Sequence, residues 1–380
     1  MMSSPSVLAL STLIGTIVGA GMFGLPFAIV QSGLFASLFY FLLLGICVTY
    51  LHLFFGEVCL RTPGKHRLIG YASLYLGFWG KALVTFSTIA GTIGVLLVFL
   101  IIGGDFLKIV LSSVLTLPAP WYHILFWAPL SLLMGAGIKL IARVELITTT
   151  ALFLTMGLIF FIAAPHISLA NIPLFPAASP FVAFGIILFS LIGWNAIPEI
   201  AELFREKRDK QRFGNLIKIA SAAAIGLYLV FSLSVVGVSG QYTSPEALAG
   251  LVPFLGTAVI ALGAFFGLVS IGDSFLIMGS YLKNSLRRDW HVPGILSIAI
   301  ASLAPLALYL LGFREFIFVL SVVGIIIGTI EGLVIVALFV RARKIGQLQP
   351  EYIVRTPGFL PALIIFVLMA GAATALVFSF

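Results

Sequence analysis

The chain has 380 residues, of which 61% are hydrophobic and only 9% are charged. This composition excludes an ordinary soluble domain and indicates a protein whose solvent is mostly lipid. The formal net charge of +8 does not indicate nucleic-acid binding, because the basic residues lie in short clusters between apolar segments, where they act as topology signals. Two cysteines, Cys47 and Cys59, are too few for a disulfide framework.

The apolar segments predict an all-α integral membrane protein with a single transmembrane domain over residues 1–380. A bilayer crossing needs about 20 apolar residues, and the N-terminal segment, which lacks Lys and Arg before it, is interpreted as an uncleaved span. The eleven predicted spans are 6–30, 33–56, 82–110, 123–141, 144–164, 180–203, 214–238, 254–282, 293–311, 316–340 and 360–380.

The connections between these spans alternate in charge. Basic residues follow spans 2, 4, 6, 8 and 10, and only Lys108 and Arg314 fall on the other side. The positive-inside rule therefore predicts a plasma or inner membrane protein with a cytoplasmic N-terminus and, after an odd number of spans, a C-terminus outside. The residues that carry this prediction are Arg61, Lys65, Arg67, Lys139, Arg143, Arg205, Lys207, Arg208, Lys210, Arg212, Lys283, Arg287, Arg288, Arg341, Arg343, Lys344 and Arg355.

The first span carries an unusual glycine run between Gly15 and Pro26. Each glycine inside a helix costs about 1 kcal/mol relative to alanine, and in lipid a loosened backbone needs other partners for its amide groups. The run therefore predicts an interrupted helix whose free backbone groups meet a ligand or ion. An alternative is that the glycines only allow close helix packing, because Gly15 and Gly19 have the small-xxx-small spacing.

The sixth span is interrupted in a similar way, over residues 190–198, where Gly193 and Pro198 flank the polar Asn195. Two broken spans that lie five apart favour the ligand interpretation over packing, because inverted five-span repeats place broken helices in corresponding positions at the binding site. We predict a first repeat over about 6–164, a second over about 180–340, and an extra helix at 360–380.

Four stretches of the chain resemble amino acid permeases of the amino acid-polyamine-organocation superfamily. Residues 15–33 resemble the first helix of the amino acid/auxin permease and aromatic amino acid permease branches, and residues 101–107 resemble the end of their third helix. Residues 189–202 resemble the sixth helix of the superfamily, and 355–358 are similar to a short motif before its eleventh. The resemblance implies the leucine-transporter fold, with helices 1 and 6 discontinuous and spans 1, 2, 6 and 7 moving against spans 3, 4, 8 and 9.

The resemblance also implies a site for a zwitterion, in which N–H groups of the first break bind the substrate carboxylate and carbonyls of the sixth-span break bind its ammonium. Helix ends support this independently, because a starting helix presents N–H groups to an anion and an ending helix presents carbonyls to a cation. With no Lys or Arg expected at midplane depth, a neutral, apolar or aromatic amino acid is preferred, and Trp194 has ordinary packing as an alternative role. The predicted substrate-binding residues are Thr16, Gly19, Ala20, Gly21, Met22, Phe99, Phe189, Ser190, Gly193, Trp194 and Asn195.

Two acids are expected near the bilayer midplane, where charged residues are costly and usually functional. Asp273 and Glu331 each lie ten residues before a basic residue at a span end, which is about 15 Å along a helix. Sodium-coupled members of the superfamily hold an ion between the first and eighth helices, so the resemblance implies a Na⁺ site at Gly15, Val18, Asp273 and Ser274. Alternatively, desolvation raises the proton affinity of either acid so that it carries H⁺, or the acid is hydrogen-bonded and purely structural. The choice between Na⁺ and H⁺ as the coupling ion therefore stays open.

Other functions fit part of the pattern. An intramembrane aspartyl protease would pair Asp105 with Asp273, but its Gly-x-Gly-Asp pattern is broken by Ile102 and Ser270. A passive channel would use broken helices but could not accumulate a solute.

We predict no enzyme activity and no cofactor besides the coupling ion, with the lipid bilayer and a small amino acid as partners and no nucleic acid. The oligomeric state is open, although a monomer suffices. His52, toward the end of span 2, is assigned no role.

Overall fold

The structure, a computed structural model, describes residues 5–111, 114–136, 154, 156–204, 206–289 and 292–378. The regular structure of these residues is helical, as predicted. The helices are α1 (Pro5–Ile17), α2 (Gly21–Ser32), α3 (Leu34–Arg61), α4 (Leu68–Leu111), α5 (Ala119–Ala136), α6 (Met156–His166), α7 (Val182–Leu191), α8 (Ile197–Leu203), α9 (Lys207–Ser239), α10 (Val252–Leu255), α11 (Thr257–Asp289), α12 (Gly294–Leu310), α13 (Phe316–Ile345) and α14 (Leu360–Phe378).

Within the described residues, seven helices are long and apolar enough to cross a membrane, and the bent pair α1–α2 makes eight if it is one span. Two shorter apolar helices, α6 and α12, are also present. The predicted count of eleven spans and the division into two repeats stay predictions, because most of the predicted span 144–164 lies outside the described residues. Lys139, Arg143 and Arg205 lie outside them as well.

Two interruptions occur where glycine and proline predicted them. α1 and α2 meet at a bend of 52° across residues 18–20. α7 ends at Leu191, a short 3₁₀ turn covers Trp194–Ala196, and α8 begins at Ile197. Pro198 lies in the first turn of α8, where its missing N–H removes no helical hydrogen bond, so this residue starts the second half-helix without disrupting it.

The helices form two packed groups in the described part of the chain. The scaffold group consists of α4, α5, α11 and α12, and the bundle group consists of α1, α2, α3, α7, α8 and α9. α13 lies between them, against α4 on one side and against α3 and α7 on the other. Close approach of α13 depends on glycines, since a side chain at Gly324 would collide with the backbone of α7.

Three of the connections that were predicted to share one side of the membrane, those after predicted spans 2, 6 and 10, converge at one end of the helices, which we call the basic end. The α3–α4 connection contacts α8 there, and the connection 346–359 contacts the start of α9. The ion pairs that join these segments are Lys65–Glu202 at 2.5 Å, Arg67–Glu199 at 3.2 Å and Lys210–Glu351 at 3.1 Å. The observed grouping agrees with the predicted alternation of charge, and the assignment of this end to the cytoplasm stays a prediction.

Candidate substrate site

The two helix breaks touch each other in the bundle group. Gly21, at the start of α2, lies against Ser190 near the end of α7, where an added Cβ would collide with the Ser190 hydroxyl and lie 2.9 Å from its Cα. Gly193, in the second break, lies against Ile17 at the end of α1, and a side chain there would collide as well. Glycine at both positions therefore allows the two interrupted backbones to meet.

Tyr228 of α9 connects the two breaks directly. Its hydroxyl oxygen lies 2.6 Å from the carbonyl oxygen of Ile17 and 2.8 Å from that of Ser190. The side chain is completely buried, and its single hydrogen is shared by the two carbonyls. These carbonyls belong to the last turns of α1 and α7, where helices leave acceptors without intrahelical donors. Tyr228 could not be predicted from the sequence, because a tyrosine in an apolar span is compatible with ordinary packing.

The second break is also held by a buried acid. The indole N–H of Trp194 donates a hydrogen bond of 2.6 Å to Glu331 of α13. The hydroxyl of Ser87, on α4, lies 3.5 Å from the other carboxylate oxygen. Trp194 is fully buried and Glu331 is 4% exposed. The structure thus joins a residue predicted to contact substrate with a residue predicted to act in coupling, and it adds Ser87, which the sequence analysis missed.

His52 lies beside both breaks rather than at the margin of its span, which corrects the sequence interpretation. Its ring packs edge to face with Trp194 at a centroid distance of 6.1 Å, and its Nδ1 is 3.5 Å from the Ser221 hydroxyl. A cavity of about 10 Å³, close to the minimum for one water molecule, adjoins His52, Ser221, Ile17 and Leu191. Among the described residues, the buried Nε2 of His52 has no hydrogen-bond partner.

The predicted substrate residues differ in exposure. Gly19 and Asn195 are exposed, so a backbone group of the first break and a side-chain amide of the second are accessible from outside the helix packing. Thr16 is exposed too, and its hydroxyl donates to the carbonyl of Thr12 at 2.8 Å. The buried members are Ala20, Gly21, Met22, Phe99, Ser190, Gly193 and Trp194, and Phe189 is partly buried. Their contacts with a substrate stay predictions.

The residues predicted to hold Na⁺ lie on two helices that do not pack closely. Asp273 and Ser274 are on α11, which packs on α4, α5 and α12, whereas Gly15 and Val18 belong to α1 and the break that follows it. α1 packs on α8 and α9, and no extensive α1–α11 contact occurs among the described residues. Asp273 is 9% exposed. The described contacts therefore do not bring these four residues together, and the Na⁺ site stays a prediction.

The aspartates of the protease alternative lie at different depths. Asp105, on α4, is 3.4 Å from the Nε2 atom of His123. Its neighbour Phe106 packs against Gly267 of α11. Asp273 is a further six residues along α11, which corresponds to about 9 Å of helix. The two acids thus do not face each other as a catalytic pair requires.

Two broken helices that touch inside a helical bundle, as in the described part of this chain, are the arrangement that transporters with inverted repeats use at their binding sites. The sequence matches the family described as transmembrane amino acid transporter protein over residues 4–280, and the chain belongs to this family. The predicted kinship with amino acid permeases of the amino acid-polyamine-organocation superfamily is thereby confirmed.

A curated relative and a solved structure agree with this family. The chain is 22% identical over 341 residues to Glutamine transporter 2 of Aliivibrio fischeri (strain ATCC 700601 / ES114), with 87% of this chain and 88% of the relative covered. The crystal structure of MhsT in complex with L-phenylalanine matches with a TM-score of 0.67 and 15% identity, over 100% of this chain and 99% of that chain. The all-helical membrane fold of the leucine-transporter type is confirmed, the number of spans stays a prediction, and the transporter family agrees with the predicted lack of enzyme activity.

Proposed function

We propose that this protein is a secondary active transporter that carries a neutral amino acid by alternating access, driven by a H⁺ or Na⁺ gradient. One observation carries the proposal, namely the junction of the two helix breaks through Gly21, Ser190 and Tyr228. A zwitterion at this junction has its carboxylate at the N–H groups of residues 19–21 and its ammonium at the carbonyls that end α7.

The neutral side chain is proposed from the chemistry of the residues that were predicted to bind the substrate. Met22, Phe99 and Trp194 are buried and offer apolar surface, while Asn195 offers an amide. An acidic substrate side chain would need a buried cation in this low-dielectric environment, and the buried acid at the second break, Glu331, already accepts the Trp194 N–H. The relative is named for glutamine and the solved neighbour is in complex with L-phenylalanine, both of which have uncharged side chains. An apolar or aromatic amino acid remains our preferred substrate.

The coupling ion is proposed as one of two alternatives, each with its own residues. If the ion is Na⁺, the carbonyls of Gly15 and Val18 bind it together with Asp273 and Ser274 when α1 approaches α11. If the ion is H⁺, Glu331 is the favoured carrier, because its carboxylate already contacts Trp194 inside the second break. Protonation there removes the negative charge that the indole N–H faces and weakens a charge-assisted hydrogen bond.

The orientation in the membrane is proposed with the function. We place the basic end and the N-terminus in the cytoplasm and the C-terminus outside, because basic connections favour the cytoplasmic side of plasma and inner membranes. The two repeats, 6–164 and 180–340, provide the symmetry that alternating access needs.

The test is uptake into proteoliposomes under separately imposed Na⁺ and pH gradients. Labelled glutamine, phenylalanine and leucine form the neutral panel, and labelled glutamate and lysine form the charged panel. We expect at least one neutral amino acid to accumulate above its equilibrium concentration with one of the two gradients. Equilibration without accumulation would support the passive channel, and no uptake of any amino acid would contradict the proposal.

Two variants separate the coupling alternatives. Asp273→Asn is expected to abolish Na⁺-driven accumulation and Glu331→Gln to abolish H⁺-driven accumulation, while exchange of internal for external substrate continues. Glu315→Gln is the matched control, because Glu315 is exposed at the start of the same helix as Glu331. Unchanged gradient-driven uptake in both site variants would rule out both coupling assignments.

A further inference from the structure

A second cavity opens at the basic end, and its lining residues differ from those of the cavity beside the helix breaks. It has a volume of about 270 Å³ and lies between α3, α9 and the connection 346–359. Its lining includes Tyr50 from α3, Asn215 and Lys218 from α9, and Arg355 from the connection. The cavity is slightly smaller than the roughly 300–1,000 Å³ typical of drug-sized sites, which suits a headgroup rather than a large solute.

The cavity is positively charged. Lys218 and Arg355 both line it, and neither forms an ion pair with a carboxylate of the described residues. The nearest acids of the connection and of α3 are already engaged, since Glu351 pairs with Lys210 and Glu57 pairs with two arginines. The amide of Asn215 adds a neutral hydrogen-bond donor. A group with negative charge and several acceptor oxygens is therefore the complementary ligand.

The segment that carries Arg355 is fixed in place. The Val354 N–H donates to Glu57 at 2.7 Å, and the Tyr352 hydroxyl donates to the Leu53 carbonyl at 2.8 Å. Burial raises the pKa of Tyr352 well above its usual range, so this hydroxyl remains a donor. The Tyr352 ring packs on Gly214 of α9. The backbone next to Arg355 is thus held at the cavity before any ligand arrives, which lowers the entropic cost of ordering this segment on binding.

An apolar face leads away from the cavity along α3. Leu42 and Ile46 are 66% and 49% exposed, and they precede Tyr50 by two turns and one turn of the same helix. Ile353, which lines the cavity from the connection, is 59% exposed. A charged pocket that continues into an exposed apolar helix face fits a molecule with an anionic head and acyl chains, and basic pockets between helix ends on the cytoplasmic side are known to bind such headgroups.

We propose that this cavity binds an anionic phospholipid, with its phosphate at Lys218 and Arg355 and its acyl chains along Leu42 and Ile46. The proposal is independent of the transported substrate. Each cation near the membrane surface is expected to contribute about fivefold to the affinity for an anionic lipid.

The experiment measures binding of phosphatidylglycerol and phosphatidylcholine to delipidated full-length protein by native mass spectrometry and by the shift of thermal unfolding. We expect phosphatidylglycerol, but not phosphatidylcholine, to bind and to raise the unfolding temperature. Lys218→Gln with Arg355→Gln should weaken this binding by about 25-fold if the two contributions are independent. Arg341→Gln with Lys344→Gln removes the same charge at the exposed end of α13 and should leave the binding unchanged.

Competition with inorganic phosphate and glycerol phosphate distinguishes a lipid phosphate from a soluble phosphate as the ligand. If either competes at concentrations similar to phosphatidylglycerol, the ligand is a soluble anion and the lipid proposal fails. Equal losses in the site and control variants also overturn it, because binding then follows overall charge. A phosphatidylglycerol with a photoreactive acyl chain tests the wild-type protein without any variant. Labelling of α3 near Leu42 and Ile46 supports the site. Labelling that is confined to other parts of the protein contradicts it.

Discussion

The hydroxyl of Tyr228 shows how one side chain stabilises a doubly interrupted backbone. Each break leaves carbonyl groups at the end of a half-helix, and burying such a group without a donor costs about 1–3 kcal/mol. Tyr228 serves the last turn of α1 and that of α7 together, because its oxygen lies within 2.8 Å of the Ile17 and Ser190 carbonyls. The side chain thus offsets part of the cost of two breaks in an apolar interior.

We expect Tyr228→Phe to lower the free energy of unfolding by about 1–3 kcal/mol and to slow substrate exchange, because two buried carbonyls lose their shared donor. Thermal unfolding in detergent and exchange in proteoliposomes measure the two effects. Tyr242→Phe is the control, since Tyr242 is 77% exposed and its hydroxyl lies outside the core. Equal behaviour of the two variants would contradict the bridging role.

The breaks could be predicted from the sequence, whereas their partners could not. Glycine and proline act on their own backbone, so the run that starts at Gly15 and the position of Pro198 both carry a local signal. Tyr228 and Ile17 are 211 positions apart, and Ser87 and Glu331 are 244 apart. Their contacts depend on how each helix is rotated and how deep it lies. A span that is apolar on all sides has no polar face from which this rotation could be predicted.

At the scale of elements, Glu57 ties three segments together at the basic end. This glutamate is fully buried near the end of α3 and accepts two hydrogen bonds of 3.0 Å from Arg343 of α13. It also accepts the N–H of Val354 at 2.7 Å, and Arg61 lies 2.8 Å away. The end of α13 and the connection to α14 are therefore anchored on α3 by a charged group that water does not reach.

Removing that charge should be far more damaging than breaking an exposed pair. We expect Glu57→Gln to destabilise the protein by about 3–5 kcal/mol, because Arg343 loses its buried partner, and to speed proteolysis of the connection 346–359. Unfolding curves and limited proteolysis measure these changes. Lys210→Gln, which removes the partly exposed pair with Glu351, should cost about 1 kcal/mol or less. A cost for Glu57→Gln no larger than this would refute the anchoring role.

The sequence predicted the long apolar helices better than the segments between them. Bilayer thickness imposes a length on each span, so α3, α9 and α13 match their predicted ranges apart from polar extensions at the basic end. α4, in contrast, begins at Leu68 rather than near residue 82, and its first part is set at an angle by Gly77, whose φ of 70° favours glycine. Connections such as 346–359 have no periodic hydrophobic pattern. The ion pairs and hydrogen bonds that hold them therefore could not be predicted from the sequence.

For the whole molecule, the contacts between the two helix groups differ at the two ends. Toward the end opposite the basic end, Phe23 of the bundle group packs edge to face on Phe106 of the scaffold group, with centroids 4.9 Å apart. At the basic end, Arg67 in the α3–α4 connection pairs with Glu199 of α8 and lies over the ring of Tyr281 on α11. Alternating access requires the groups to separate at one end while they remain in contact at the other.

A crosslink at the basic end should therefore stop transport. We expect Arg67→Cys with Glu199→Cys, in a background that carries Cys47→Ala and Cys59→Ala, to lose uptake after treatment with a short bismaleimide. Each single-cysteine protein, treated identically, should keep its uptake, which controls for modification alone. Crosslinked protein that transports at the untreated rate would mean that these two segments do not separate during the cycle.

The shared hydrogen of Tyr228 has a consequence for the energetics of the cycle. One hydrogen cannot serve two carbonyls at full strength, so a tilt of α1 that removes Ile17 leaves the complete hydrogen bond to Ser190. The net loss stays below that of one whole hydrogen bond, about 0.5–1.5 kcal/mol, which changes a population by about tenfold at most. If the proposed cycle tilts α1 in this way, Tyr228 keeps a hydrogen bond to α7 throughout, and this contact adds little to the free-energy difference between the two arrangements.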